Sequence, residues 1–426
     1  MKNFLKRTET ESYKYKRIQV KLITKGNFIM AYNFTLTSVA VPFAAKFEES
    51  LPVLMHSNKQ LDKEFKSGTG STITMIIPDH PDVTTGAAVG GSLGYTSGSR
   101  TLSLVQKNVA IDANSVVRAL DVHDFESQVA VPYAAKLGSE IQKESVDTLQ
   151  KKADRQIVFA GAQLFNEVSD AVASIRSARS FGTLCGALSP NLAAKVAQSG
   201  FTFFNPSSQI SDIFENVKLG RFQTADWYTT PDVSSLSTGT LSLSATATTT
   251  AAVTAEGATT IAITDASLAG GETVVAGQAF EIAGCEIVDI YGNSVGENYA
   301  FVAQANATAT AGALSVTVKP LHFAAGPLQN VSITVPSGAV VSQVQEANSS
   351  YIGGIVWDKM SLLFGSAKLA PIAGVEEKTI VVGKALAVKC SKGPDIANGR
   401  EIVRWDVLTG SELVRPNWAS ALWFKV

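Results

Sequence analysis

Gly70-Ser71-Thr72-Ile73-Thr74-Met75-Ile76-Ile77-Pro78 decides how this chain is read. Ile73, Met75 and Ile77 alternate with Thr72, Thr74 and Ile76, the period-two pattern of an extended strand. Pro78 and Pro81 stop the run. Gly86 to Gly98 follows with almost no large side chain, and Thr101 to Ile111 resumes the alternation. The stretch predicts one long hairpin with little of its own to bury. A two-stranded ribbon is marginal in water, so this one must lean on something else.

Downstream the period changes. Leu137, Ile141, Leu149, Ala153 and Ile157 recur at helical steps, with Lys143, Glu144, Lys151, Lys152 and Asp154 mostly opposite. Pro132 suits a first turn, where its missing N–H costs nothing, and Asp124 could cap a short turn before it. A long one-sided helix is expected from about Pro132 to Gly161. Gly182 to Gly200 reads as helix-rich, with Pro190 at a helix start. The tail is strand-like at Thr379 to Val382, Leu386 to Cys390, Glu401 to Leu408 and Ala421 to Phe424.

Charge divides the chain further. The whole has 426 residues and a net charge of −1, with 45% hydrophobic and 17% charged residues, so it can build cores and is no disordered polyelectrolyte. Before Met30, six Lys and two Arg face Glu9 and Glu11, a net of +6. From Gln223 to Gln345, nine carboxylates face Lys319 alone, a net of −8. That acidic stretch carries short alternating runs at Thr260 to Ile263, Phe280 to Ile282, Leu314 to Val318 and Val331 to Val335. It is expected to form a small β-barrel or sandwich, with the Ala-Thr repeats of Ala245 to Ala252 as a solvated loop.

Candidate chemistry is sparse. Cys185, Cys285 and Cys390 are far apart, which argues against a disulfide framework or zinc site and fits a reducing compartment. His56, His80, His123 and His322 never fall at ligand spacing, so no metal is expected. Gly90-Gly91-Ser92-Leu93-Gly94 spells the nucleophile elbow, but Gly and Thr precede it and Thr-Ser-Gly-Ser follows, where a strand and a helix are needed. Asp121, His123 and Asp124 read as helix-start caps. Gly68-Thr69-Gly70 fails the phosphate-loop and dinucleotide tests, so no cofactor is expected. The sequons at Asn306, Asn330 and Asn348 read as chance in a Thr/Ser-rich chain, and the basic run Lys14 to Lys25 as a solvated tail. No apolar run reaches the ~18 residues of a membrane helix, and near-neutral net charge argues against a dedicated nucleic-acid grip. No catalytic, cofactor-binding or metal residue is assigned, and no enzyme is expected.

The order of these stretches resembles the major capsid protein of tailed double-stranded-DNA bacteriophages, an α+β HK-ninety-seven-like fold, in the P-twenty-two-type branch with an inserted all-β domain. Gly70 to Pro78 looks like the rising strand of that family's E-loop. Phe203-Phe204-Asn205-Pro206 and Leu219-Gly220-Arg221-Phe222 look like the approach to the inserted domain. Gly277-Gln278-Ala279-Phe280-Glu281-Ile282-Ala283-Gly284 looks like its G-D-x-F-x-I-A-G strand. Trp357-Asp358-Lys359 resembles the strand-to-helix step after it. Arg404-Trp405-Asp406-Val407-Leu408-Thr409-Gly410 and Leu413-Val414-Arg415-Pro416 resemble the closing strands. Gln278 stands for the usual acid, Thr409 for the usual Tyr and Asn417 where Glu is common.

The resemblance implies a domain order. A basic extension at 1–29 has no family counterpart and is expected to be either an extra arm or sequence from an early start. An N-arm follows at 30–66, the E-loop hairpin at 67–114 and the spine helix with peripheral domain at 115–165. The axial domain begins at 166–222, the inserted β-domain fills 223–345, and axial and peripheral parts return at 346–426. It further implies a non-catalytic shell protein, located in the virion capsid and assembled in the bacterial host cytoplasm. Its partners would be other copies of itself in hexamers and pentamers, a scaffolding protein and a portal. Packaged DNA would be held only loosely, and no membrane is involved. A bacterial nanocompartment shell, or a β-rich surface or adhesion protein, are the alternative functions.

Overall fold

The computed structural model describes residues 36–59, 72–78, 97–113, 130–159, 164–200, 221–222, 224–319, 322–382, 386–395 and 400–426. Five helices are described: α1 (Leu36–Glu49), the single turn α2 (Pro52–Met55), α3 (Val131–Lys152), α4 (Leu164–Ser177) and α5 (Pro190–Gly200). Among the described residues strand outweighs helix, 45% to 21%, as in the α+β class.

At 1.5 Å per residue α3 is about 33 Å long and crosses the body. Its inner face carries Ala134, Leu137, Ile141, Val146 and Leu149, together with the buried amides of Gln142 and Gln150. Gln142 is satisfied on both sides: Oε1 accepts from Val53 N (3.1 Å), and Nε2 donates to Thr230 Oγ1 (2.9 Å) and Asp232 Oδ2 (2.5 Å). That bonding lets a polar residue sit on the core face without a desolvation penalty. Lys151 and Lys152 in the last turn complement the helix dipole.

Two sheets form the body. One is seven-stranded and mixed, with neighbours in the order Arg155–Phe159, Ala419–Lys425, Ser350–Asp358, Leu184–Leu188, Ala225–Thr229, Arg221–Phe222, and Leu236–Ser237 paired to the third. α4 and α5 pack on it through Val168, Ala171, Ile175, Leu192 and Val196 against Val356 and Leu422. The other is five-stranded around Arg400–Leu413, which pairs with Val105–Ala113, Leu362–Ala367 and Leu386–Asp395; Glu376–Val382 pairs only with the last. α1 covers this sheet, and Phe43 stacks on Trp405 with ring centroids 4.8 Å apart.

Between Ala225–Thr229 and Ser350–Asp358 the chain leaves the first sheet and builds a β-lobe. Six strands run in the order Val341–Gln343, Ala279–Val288, Ser294–Ala303, Ala313–Lys319, Thr260–Thr264, Thr248–Thr249. They enclose their own core of Phe280, Ile282, Tyr299, Phe301, Val316 and Val318 among others.

The ribbon pairs Thr72–Pro78 with Ser97–Ser103 in register from Thr72↔Ser103 to Pro78↔Ser97. Ile77 and Leu102 turn inward onto Leu104, Leu363 and Val414, while Ile76 on the other face is 62% exposed.

Several expectations are corrected. The run from Thr101 to Ile111 is two strands, because Val105–Ala113 leaves the ribbon and joins the five-stranded sheet. No Gly or Pro separates them in sequence; the crossing is permitted from afar by Gly410, where a Cβ would lie 2.2 Å from Ser103 O. The long helix stops at Lys152 instead of reaching Gly161, and Arg155–Phe159 becomes a strand parallel to the C-terminus. Ile157 fits a helical step, but Ile157-Val158-Phe159 is β-branched and aromatic and suits a strand better. Helix-rich 182–200 holds the strand Leu184–Leu188, whose five buried residues show no alternation. The step after Trp357-Asp358-Lys359 leads to the strand Leu362–Ala367, with no helix. Residues 331–335 make only isolated bridges, Val331 to Ile287 and Val335 to Val253. The Gly-rich tip at 86–96 lies outside the described residues.

Candidate functional site

The residues that sequence reading weighed for chemistry are not gathered into a site. Ser92 and its glycines, Asp121, His123, Asp124, His80, Gly68 to Gly70 and Lys14 to Lys25 lie outside the described residues, as do Phe203 to Pro206. Cys185, Cys285 and Cys390 are free and buried. Burial pushes their thiols up to about 12, 11 and 12, which leaves them protonated and unreactive near neutrality. His56 Nε2 meets the Tyr228 hydroxyl at 2.7 Å, and its Nδ1 meets Pro52 O at 2.7 Å, so both ring nitrogens serve the junction of α2 with the sheet. Asn330, a sequon by spelling, is buried, and its Oδ1 accepts from Phe323 N (2.8 Å).

The chemistry is concentrated instead where α3, the ribbon and the β-lobe meet. Asp154, just past the helix end, bonds in both directions: its N–H donates to Pro416 O (3.3 Å), and its carbonyl accepts from Ala300 N of the lobe (3.0 Å). Arg155 follows, 3% exposed in its side chain, with Nε donating to Glu297 Oε2 (2.5 Å) and Nη1 to Asn417 O (2.5 Å). Asn417 Nδ2 donates to Val288 O (3.2 Å), a bond that the Glu common in the resembled family could not make. Arg179 Nε donates to Asp289 Oδ2 (2.7 Å) while its guanidinium lies 4.9 Å over the Tyr291 ring. Three chain segments distant in sequence, at Asp154-Arg155, Arg179 and Asn417, are thus tied to one end of the lobe.

The two crossings into the lobe are zipped together. Thr238 N donates to Ser349 O (2.9 Å), Thr238 Oγ1 to Glu346 O (2.7 Å), and Asn348 N to Gly239 O (2.9 Å). Beside them Gln278 is fully buried, and its Oε1 accepts from Gly239 N (3.1 Å) and Val275 N (2.6 Å). An amide oxygen here does what the expected carboxylate would do, without carrying a charge into the interior.

Electrostatics at the seam are dominated by burial. It pushes the Asp154 carboxyl up to about 8, against the pull of Arg155 and Arg100. Burial also raises the neighbouring Tyr299 well above its usual range. Asp289 goes the other way: burial pushes upward, but Asn293 and Tyr291 amides and the Arg179 guanidinium hold it below the ordinary carboxylate value. A cavity of about 260 Å³ opens beside this cluster, lined by Arg100 and Ile77 of the ribbon, Asp289, Gln329 and Asn330 of the lobe, and Arg415 to Asn417. Sequence reading missed Asp154, Arg155 and Arg100, because each is a single charge in an ordinary element and only the tertiary fold buries them. Asn417 alone left a trace, as a departure from the family pattern.

No family model matches the chain, and no curated protein matches it. Among solved structures it is similar to the capsid of Ralstonia phage GP4, at 7% identity and TM-score 0.45 over 85% of this chain and 86% of that one. It is similar to a chain of the capsid of the cyanophage P-SCSP1u, at 11% identity and TM-score 0.41 over 84% of each. A virus-like particle from Pyrococcus furiosus matches at 7% identity and TM-score 0.40 over 91% of this chain and 98% of that one.

Proposed function

We propose that this chain is a major capsid protein that self-assembles into the icosahedral shell of a tailed double-stranded-DNA phage. The reading is supported by the ordered segment resemblances given above, and one structural observation carries it. The ribbon is a two-stranded sheet whose outer edges have no strand partner among the described residues, fixed to the body through Ile77 and Leu102 packed on Leu363 and Val414. Unpaired edges are an aggregation hazard unless a specific partner covers them, and closed symmetry supplies that partner once per copy. In this reading 67–114 is the hairpin that lies over a neighbouring copy, 115–165 the spine and 223–345 an insertion that reinforces the protomer. The acidity of that insertion sets it away from DNA phosphate, so the genome is enclosed without being gripped. The role is structural, without catalysis, with a scaffolding protein and a portal as further partners and assembly in the host cytoplasm.

Expression of the full chain, alone and with a neighbouring scaffold gene, followed by electron microscopy, tests this. Closed icosahedral particles are expected. A dispersed monomer in both preparations contradicts the reading, and particles filled with enzyme cargo instead of DNA during infection assign the shell to a nanocompartment.

A further inference from the structure

The cavity at the seam has an unbalanced charge. Arg100 and Arg415 both line it, and neither guanidinium makes an ion pair among the described residues. Arg100 Nε is buried without a hydrogen-bond partner; its guanidinium lies 5.6 Å from the Phe323 ring, and its charge acts on Asp154 and Tyr299. Arg415 is held 4.7 Å over the Trp418 ring, which orients its planar fork but leaves its N–H donors unused. The acid in the lining, Asp289, is already taken: it accepts from Arg179 Nε (2.7 Å), Tyr291 N (2.8 Å) and Asn293 N (2.9 Å). Two further carboxyls act on these arginines: Asp154, which acts on Arg100, is fully buried and holds its proton near neutrality, and Asp358, which acts on Arg415, already accepts from Ser180 Oγ, Gly182 N (2.8 Å) and Met360 N (2.8 Å). Half-buried arginines without an oxyanion leave strong charge-assisted hydrogen bonds unmade.

We propose that this cavity is a carboxylate-binding site, filled in the assembled state by an acidic side chain from the β-lobe of a second copy. The occupant rests on the shell reading above and on charge complementarity. The lobe carries nine carboxylates against Lys319 over 223–345, and Glu256 stands exposed in a turn without an ion pair among the described residues. The Arg100 and Arg415 forks would take the carboxylate in place of water, which adds a directional contact between copies at the point where ribbon, lobe and body already meet.

Citrate is the probe, titrated by calorimetry into the purified, unassembled full chain. Saturable binding is expected, weakened about tenfold or more by R100Q and by R415Q, as loss of a charge-assisted hydrogen bond implies. R100K should retain part of the affinity, and R221Q, which changes an exposed arginine elsewhere, should leave it unchanged. Circular dichroism identifies any variant that has not folded, and R100K then decides in place of R100Q. In the second arm, saturating citrate should suppress particle formation by wild type, and folded R100Q should assemble poorly. Citrate binding that leaves assembly untouched assigns the cavity to a free solute and overturns the second-copy occupant. No saturable binding overturns the site itself. If wild type never forms particles, the shell reading fails and takes the occupant with it, while the calorimetry still reports on the site.

Discussion

The β-lobe and the ribbon are written in the same alternating Thr and Ile pattern, yet they solve burial in opposite ways. Thr260–Thr264 turns Ile261 and Ile263 onto a core made of the lobe's own residues, from its strands and the loops between them. Thr72–Pro78 turns Ile77 onto a small cluster that depends on Leu363 of the distant five-stranded sheet and on Val414, just past that sheet's longest strand, and leaves Ile76 in solvent. The same local code gives a self-sufficient unit where six strands close around it and a dependent one where only two do. The difference locates where this chain has spare pairing capacity.

The comparison is broken most forcefully from the lobe. Phe301→Ala removes a fully buried ring that packs edge-on against Tyr299 at 4.8 Å. It is expected to lower unfolding stability by about 3–5 kcal/mol in a denaturant titration, with ribbon register unaffected. Gly410→Val tests the other side, since any side chain there meets Ser103 O, and even a Cβ lies 2.2 Å from it. A loss of about 1–3 kcal/mol is expected, together with detachment of 97–103 seen as raised proteolysis at the ribbon.

Protons sharpen the contrast between seam and lobe. Asp154 binds its proton more tightly folded, at about 8, than at its ordinary 3.8. Its contribution is therefore fully present below about pH 4, declines as pH rises and is lost by about pH 8. Asp265 in the lobe runs the other way. Burial pushes it up, but amides and hydroxyls of Ser244 and Ser267 bring it down to about 2. Its contribution is present above about pH 4 and disappears as pH falls through 2. Asp154→Asn should flatten the fall in melting temperature between pH 5 and 8, and Asp265→Asn should flatten the acid limb below pH 4. The smallest effect belongs to Ile76→Ser, which should change monomer stability by no more than about 0.5 kcal/mol while lowering the yield of particles.

Much of this was legible in the sequence for a physical reason. The four C-terminal strands, the strands at Thr260–Thr264 and Ala313–Lys319, and the first five turns of α3 each carry their period over enough residues to decide it. Short buried strands were not legible. Leu184–Leu188 and Arg155–Phe159 lie inside the seven-stranded sheet or parallel to its C-terminal strand, so neither shows the polar alternation that marks a half-exposed strand. Partner choice was also hidden: nothing between Thr101 and Ile111 announces that Leu104 ends one pairing and Val105 begins another. The seam was least legible of all, since Asp154, Arg155 and Arg100 acquire their roles only when three segments converge on them.

Hydrogen–deuterium exchange, compared between dispersed chain and sedimented particles, tests most directly whether sister copies complete the ribbon. Amides of 72–78 and 97–103 that point away from their own pairing should exchange rapidly in the dispersed chain and slow by about a hundredfold or more in particles, as expected when a local opening is closed by a partner. Amides of Ala279–Val288 in the lobe should be equally protected in both. Ribbon amides already as slow in the dispersed chain as in the particle would contradict the account.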